Sequence, residues 1–131
     1  MKAKRRGRII NISSMSGKRP LVMRTPYTSS KMAVMGFTRT LAHEVGEFGI
    51  TVNSVCPGAT SGERIDRVIR NLAESQGRSE AEVTADFTDP SALKSLVDPE
   101  DTAELVTFLA SDRAAHMTGQ DINVTAGLVW Y

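Results

Sequence analysis

The sequence predicts an α/β fold built on a parallel sheet of about three strands with flanking helices. Short β-branched runs alternate with helical patterns along the chain, and no internal repeat or low-complexity tract interrupts them. The first two strands end in small-polar or Pro-Gly loops, which marks the carboxyl rim of such a sheet as the place for ligands.

Arg8-Ile9-Ile10-Asn11-Ile12 reads as the first strand, a β-branched run suited to burial on both faces, opening into the small polar cluster Ser13 to Gly17. Thr25-Pro26 offers an N-cap hydroxyl followed by proline at the first helical position, where its missing N–H costs nothing. The helix that follows is predicted to reach about Glu47, with Gly46 and Gly49 supplying the stop. Its apolar residues Met32, Val34, Met35, Phe37, Leu41, Ala42 and Val45 form a broad stripe, which implies packing on both the sheet and a partner surface. Ile50 to Val55 is the second strand, ended by Cys56-Pro57-Gly58 because proline cannot donate to a central ladder.

From Ala59 to Leu96 the pattern weakens into two short helices, one around Ile65, Val68, Ile69 and Leu72 and one opened by the capping box Ser79-x-x-Glu82. This segment is predicted to be a mobile lid. Asp98-Pro99 starts a further helix that ends near Ser111, with Glu100 and Asp101 favouring the positive end of its dipole and Ala103, Val106, Leu109 and Ala110 facing inward. Asp121 to Val124 is the third strand, followed by Ala126-Gly127 and an aromatic tail.

The 131 residues, 40% hydrophobic and 24% charged, suit one globular domain with one core. No apolar run is long enough for a membrane span, and no secretory h-region follows Met1 to Arg6, so the default address is cytoplasmic. A single cysteine, Cys56, excludes an internal disulfide and a thiolate metal site and is expected to be a small buried hydrophobe. A formal net charge of +1 gives no general field for nucleic acid. The basic run Lys2, Lys4, Arg5, Arg6 and Arg8 lacks aromatic company and reads as a solvated lead-in to a strand.

Several isolated residues invite functional readings that their surroundings do not favour. His43 and His116 form no catalytic or metal spacing, and no metal site is expected. Met15, Met23, Met32 and Met35 could line a substrate side, although core filling suits the helical pair better. Arg64, Arg67 and Arg70, three apart, could meet an anionic substrate, but a solvated helix face is the simpler reading.

Tyr27 and Lys31 stand four apart on the first long helix, so their side chains project from one face toward a common ligand. A phenol with a pKa near about 10 is a poor acid or base at neutrality, and a nearby ammonium favours its phenolate. Ser14, just past the first strand, could donate to a carbonyl or alkoxide oxygen shared with Tyr27.

Gly7-Arg8-Ile9-Ile10-Asn11-Ile12-Ser13-Ser14, then Tyr27-Thr28-Ser29-Ser30-Lys31, then Val52-Asn53-Ser54-Val55-Cys56-Pro57-Gly58 resemble, in order and spacing, the short-chain dehydrogenase/reductase family. The resemblance continues through Phe108 to Asp112 and Met117 to Gln120, and so covers nearly the whole chain. It implies the C-terminal half of a Rossmann-like, doubly wound parallel sheet, with residues 1–131 forming a partial domain that holds the catalytic half. It further implies hydride transfer between the nicotinamide of NAD or NADP and a secondary alcohol or ketone. In that scheme Tyr27 is the acid/base, Ser14 holds the substrate oxygen, and Lys31 contacts the nicotinamide ribose and tunes the phenol. Tyr27, Lys31, Pro57, Gly58 and Thr60 are the cofactor-binding residues.

Three departures from the family pattern stand out. Gly62 occupies the position, five after the proline, where a threonine usually contacts the carboxamide, so Thr60 or Ser61 is expected to substitute. Thr125-Ala126-Gly127 replaces the usual Asp-Gly-Gly, a change expected to be mild. Family members also run to roughly double this length, and their first half, with its glycine-rich turn, ribose selector and catalytic asparagine, has no counterpart here. Weakened cofactor affinity and an unpaired edge on the first strand follow, with aggregation or obligate association as a homo-oligomer, a dimer or tetramer. The alternative function is a non-catalytic remnant serving as an oligomerisation or interaction module through the Tyr27 helix. No membrane or nucleic-acid partner is expected.

Overall fold

The structure, a computed structural model, describes residues 1–131. Its centre is the strand β2, Ile50–Pro57, in which every residue from Ile50 to Cys56 is buried. The strands β1 (Gly7–Ile12) and β3 (Asp121–Val124) pair with it in parallel, one on each side, in the order β1-β2-β3. Ile9 lies opposite Val52 and Val55 opposite Ile122, so β2 carries the apolar pattern that both neighbours complete.

The alternation of side chains along β2 divides the core between two helices. On one face Ile50 and Val52 meet Ala42 and Val45 of α1, Thr25–Val45, with Ile9, Leu41 and Phe48 packed around them. On the other, Val55 meets Leu109 of α4, Pro99–Ala110, with Ile10, Leu105, Val106 and Ile122 alongside. The sheet is therefore wound on both faces.

Burial of β1 on both faces does not extend to its outer edge. Its residues are only half-buried and Ile12 is 48% exposed. Helices cover the faces of β1, but no strand lies along its free hydrogen-bonding side, and backbone and flanking side chains there meet water.

Pro57 lies inside β2 rather than after it, and alternation explains why this is tolerated. The N–H groups of Ser54 and Gly58 donate to Gln120 and Val124 on the β3 side, so Pro57 faces the β1 side, where the ladder has already ended opposite Val55.

Thr25 is the first residue of α1 rather than its cap: Arg24 occupies the N-cap position without a side-chain cap bond, and Pro26 lies within the first turn. The helix closes through a 3-10 turn, Gly46–Phe48. The segment after β2 forms α2 (Glu63–Gln76) and α3 (Glu80–Thr88), which build a small core of their own from Ile69, Ala73 and Val83. Both bonds of the Ser79/Glu82 capping box are present. The two ends of this excursion are stitched together, with Val97 N donating to Ala59 O at 2.8 Å and Ser61 N to Val97 O at 2.9 Å. Asp98 caps α4 by accepting from Glu100 N at 2.9 Å, but the inward face of that helix is Leu105, Val106 and Leu109, while Ala103 and Ala110 are exposed.

Candidate active site

Where β1 ends, a short 3-10 turn, Met15–Gly17, carries the chain against α1. Ser14 caps that turn, accepting from Ser16 N at 3.1 Å, and is 7% exposed. That bond uses a lone pair of the Ser14 oxygen and leaves its proton free to donate. Ser13 Oγ donates to the carbonyl of Lys31 at 2.8 Å, and Lys31 Nζ returns to the carbonyl of Ile12 at 3.0 Å. Asn11 Nδ2 adds a third tie, to Thr38 Oγ1 at 2.9 Å. Helix and strand end are thereby locked in one register, with the Lys31 ammonium 5.8 Å from the centre of the Tyr27 ring. The Tyr27 hydroxyl has no partner within the protein.

The turn is held from its other side as well. Lys18 Nζ donates to Asp121 O at 2.8 Å and Tyr131 Oη donates to Lys18 O at 2.9 Å. Asp121 in turn receives Arg39 Nε at 2.8 Å and the Ser54 hydroxyl, so β3, β2 and α1 meet at one carboxylate.

At the carboxyl rim of the sheet lies a cavity of about 370 Å³ that Ser14, Tyr27, Lys31, Pro57, Gly58 and Thr60 all line. The residues singled out from sequence on three separate segments thus share one space. Met15 also lines it, whereas Met35 belongs to the core and Met23 and Met32 are exposed. Leu21, Ile65, Val68 and Phe87 add an apolar wall, bringing the α2–α3 excursion over the rim. His43 and His116 are exposed and lie outside it, and no group of residues is arranged to hold a metal ion. Cys56, fully buried on β2, is pushed above the ordinary thiol pKa by burial, partly offset by a hydrogen bond with Ser54.

The family model described as enoyl-(acyl carrier protein) reductase matches residues 1–129. The chain belongs to the short-chain dehydrogenase/reductase family. Among curated proteins it is similar to a putative ketoacyl reductase of the monensin polyketide synthase from Streptomyces virginiae, 41% identical over 128 residues. That match covers 98% of this chain and 49% of the relative, so the chain spans about half the length of the curated relatives it matches. Among solved structures, an actinorhodin polyketide ketoreductase with NADPH superimposes with a TM-score of 0.90 at 36% identity, over 98% of this chain and 49% of that one. An NAD+-bound xylitol dehydrogenase shares the fold, with a TM-score of 0.87 at 24% identity over 97% of this chain and 51% of that one. The α/β architecture with a parallel sheet wound on both faces is the family's Rossmann-like arrangement.

Membership in the short-chain dehydrogenase/reductase family sharpens the two local departures. Gly62 has φ 123, in the region that side chains rarely adopt, and it precedes the first residue of α2. A threonine there would need a different backbone path. Of the two candidates to replace it, Thr60 lines the cavity while Ser61 does not; Ser61 Oγ instead donates to Val97 O at 3.3 Å. Ala126 sits at φ 51, left-handed backbone that a glycine would occupy without strain.

The sequence reading passed over Arg24, which also lines the cavity, and the bond by which Ser13 ties the strand end to α1. Arg24 stands three residues before Tyr27, a helical spacing that could have brought it to notice. The bond from Ser13 to a carbonyl 18 residues away carries no local signal.

Proposed function

We propose that this chain carries the catalytic half of an NAD- or NADP-dependent oxidoreductase that interconverts a secondary alcohol and a ketone. The observation that carries the proposal is the convergence of a free Ser14 proton, an unpartnered Tyr27 hydroxyl and the Lys31 ammonium on one cavity.

In reduction the substrate carbonyl oxygen accepts a hydrogen bond from Ser14, which steadies the negative charge that grows there. Tyr27 delivers its proton to that oxygen and recovers one from solvent; in oxidation it removes the alcohol proton. Lys31, tied to the Ile12 carbonyl at 3.0 Å, stands beside the Tyr27 ring with its ammonium 5.8 Å from the ring centre. The donor set and the space suit the nicotinamide end of a dinucleotide, which Lys31, Pro57, Gly58 and Thr60 would hold. When bound, the dinucleotide supplies the hydride for reduction and takes it up in oxidation.

The test is consumption of NADH or NADPH with a panel of ketones, for wild type and Tyr27→Phe. Loss of the phenol proton should lower turnover by about 10²–10⁴-fold, the usual worth of a general acid. Wild-type activity in Tyr27→Phe overturns the proposal.

The exposed apolar side chains of α1, Met32 and Phe37 at 58% each, favour a second property: self-association as a dimer or tetramer. A chain that sediments as a monomer contradicts it. Quenching of Trp130 fluorescence by NADPH separates an enzyme from a module that only associates, since the module gives no saturable response.

A further inference from the structure

The charge inside the active-site cavity is of one sign. Of its 17 lining residues none is acidic, while Arg24, Lys31 and Arg64 are cationic. The Lys31 ammonium is committed to the Ile12 carbonyl and to the neighbourhood of Tyr27. Arg24 and Arg64 have neither an ion pair nor a side-chain hydrogen bond. Four other guanidiniums are paired, Arg6 and Arg8 with Asp112, Arg39 with Asp121 and Arg78 with Asp86, while Arg67 and Arg70 on α2 are unpaired like Arg64. Glu63 and Asp66 flank Arg64 in sequence at the start of α2, yet neither lines the cavity nor pairs with it.

The two free guanidiniums enter the cavity from elements that also supply its apolar wall. Arg24 precedes α1 three residues before Tyr27, in the segment that carries Leu21, and Arg64 lies four before Val68 on α2.

We infer that the substrate is an anionic carbonyl compound, whose carboxylate or phosphate is received by Arg24 and Arg64 while its ketone oxygen lies between Ser14 and Tyr27. This rests on the oxidoreductase reading and narrows it to a substrate class. A guanidinium presents a planar fork of donors that matches carboxylate and phosphate oxygens, and a cavity without a counter-charge leaves that fork available. Arg67 and Arg70, on the same helix, do not line the cavity and take no part.

The experiment measures binding to the 131-residue chain by calorimetry, with and without NADP+, for two matched pairs: acetoacetate against methyl acetoacetate, and dihydroxyacetone phosphate against dihydroxyacetone. The anion of at least one pair should bind about tenfold tighter at low ionic strength, the scale of a charge-assisted hydrogen bond, and the advantage should shrink with added salt. The pair with the larger ratio identifies carboxylate or phosphate as the group received. Arg24→Gln with Arg64→Gln should abolish the advantage, so that the two members of each pair bind alike; both side chains are exposed, and circular dichroism checks that the fold is retained.

Equal affinity within both pairs, absence of binding by any of the four compounds, or an anion preference that survives the double substitution overturns the inference. Parallel assays of NADPH consumption with the same compounds keep the two readings apart. Turnover without an anion preference sinks the substrate class alone, whereas an Arg-dependent preference without turnover of any ketone counts against the oxidoreductase reading and leaves Arg24 and Arg64 as an anion site only.

Discussion

Gly17 lies where the turn that carries Ser14 touches the helix that carries Tyr27 and Lys31. A methyl group added there would sit 2.7 Å from Met35 Cε and 3.3 Å from both Lys31 C and Met32 N. The thioether end can swing away, but the helix backbone cannot, so in Gly17→Ala the turn must retreat from α1 by a few tenths of an ångström. Overpacking of this kind costs about 1–3 kcal/mol. The lower entropy of the unfolded alanine chain returns about 0.4–1 kcal/mol. A net loss of about 1–2 kcal/mol is expected, read by urea denaturation as a lower midpoint with an unchanged slope. In a cycle with Met35→Ala the two costs should be less than additive, because the new methyl occupies space that the thioether vacates. The proposed ketone reduction should fall as well, since Ser14 caps the displaced turn. An unchanged or raised midpoint would refute the close approach on which this reasoning depends.

Three other outcomes are expected. Ala126→Gly should stabilise the fold by about 0.5–1 kcal/mol, the left-handed strain of about 1–2 kcal/mol being relieved at an entropic cost of about 0.4–1 kcal/mol; no gain in the denaturation midpoint contradicts it. Cys56, buried and with its thiol pKa raised, should react with a thiol reagent only as fast as the protein opens, and rapid labelling of the folded chain would count against its burial. Glu82 is held below the ordinary carboxylate pKa by the Ser79 backbone N–H, and Asp86 by its hydrogen bond from Arg78. A lowered folded pKa means that the support these groups give α3 is complete above the unfolded value of about 4 and is lost as pH falls through the folded one. An NMR titration of either carboxyl with a midpoint at or above the ordinary value overturns that assignment.

The alternation of strands and helices was legible because it is written in local chemistry. β-branched runs at Ile9 to Ile12 and Ile50 to Val55, the Asp98-Pro99 start and the Ser79/Glu82 box each act within a few residues of themselves. Local signals misled where two explanations shared one pattern. Thr25 resembles a cap, yet the helix begins on it and Arg24 takes that place. The free edge of β1, in contrast, was expected from the family resemblance and is present, although no residue of its apolar run encodes what lies along it.

The candidate site divides along the same line. Sequence alone determined which groups could do the chemistry, because the spacing of Tyr27 and Lys31 is a property of one helix and the position of Ser14 a property of one strand end. Only the tertiary structure decided that these groups meet with Pro57, Gly58 and Thr60 in one cavity, and that Arg24 and Arg64 enter it without counter-charges. Hydrogen bonds such as Ser13 to Lys31 and Asn11 to Thr38 join residues far apart in the chain, and their partners exist only once the sheet and α1 have packed.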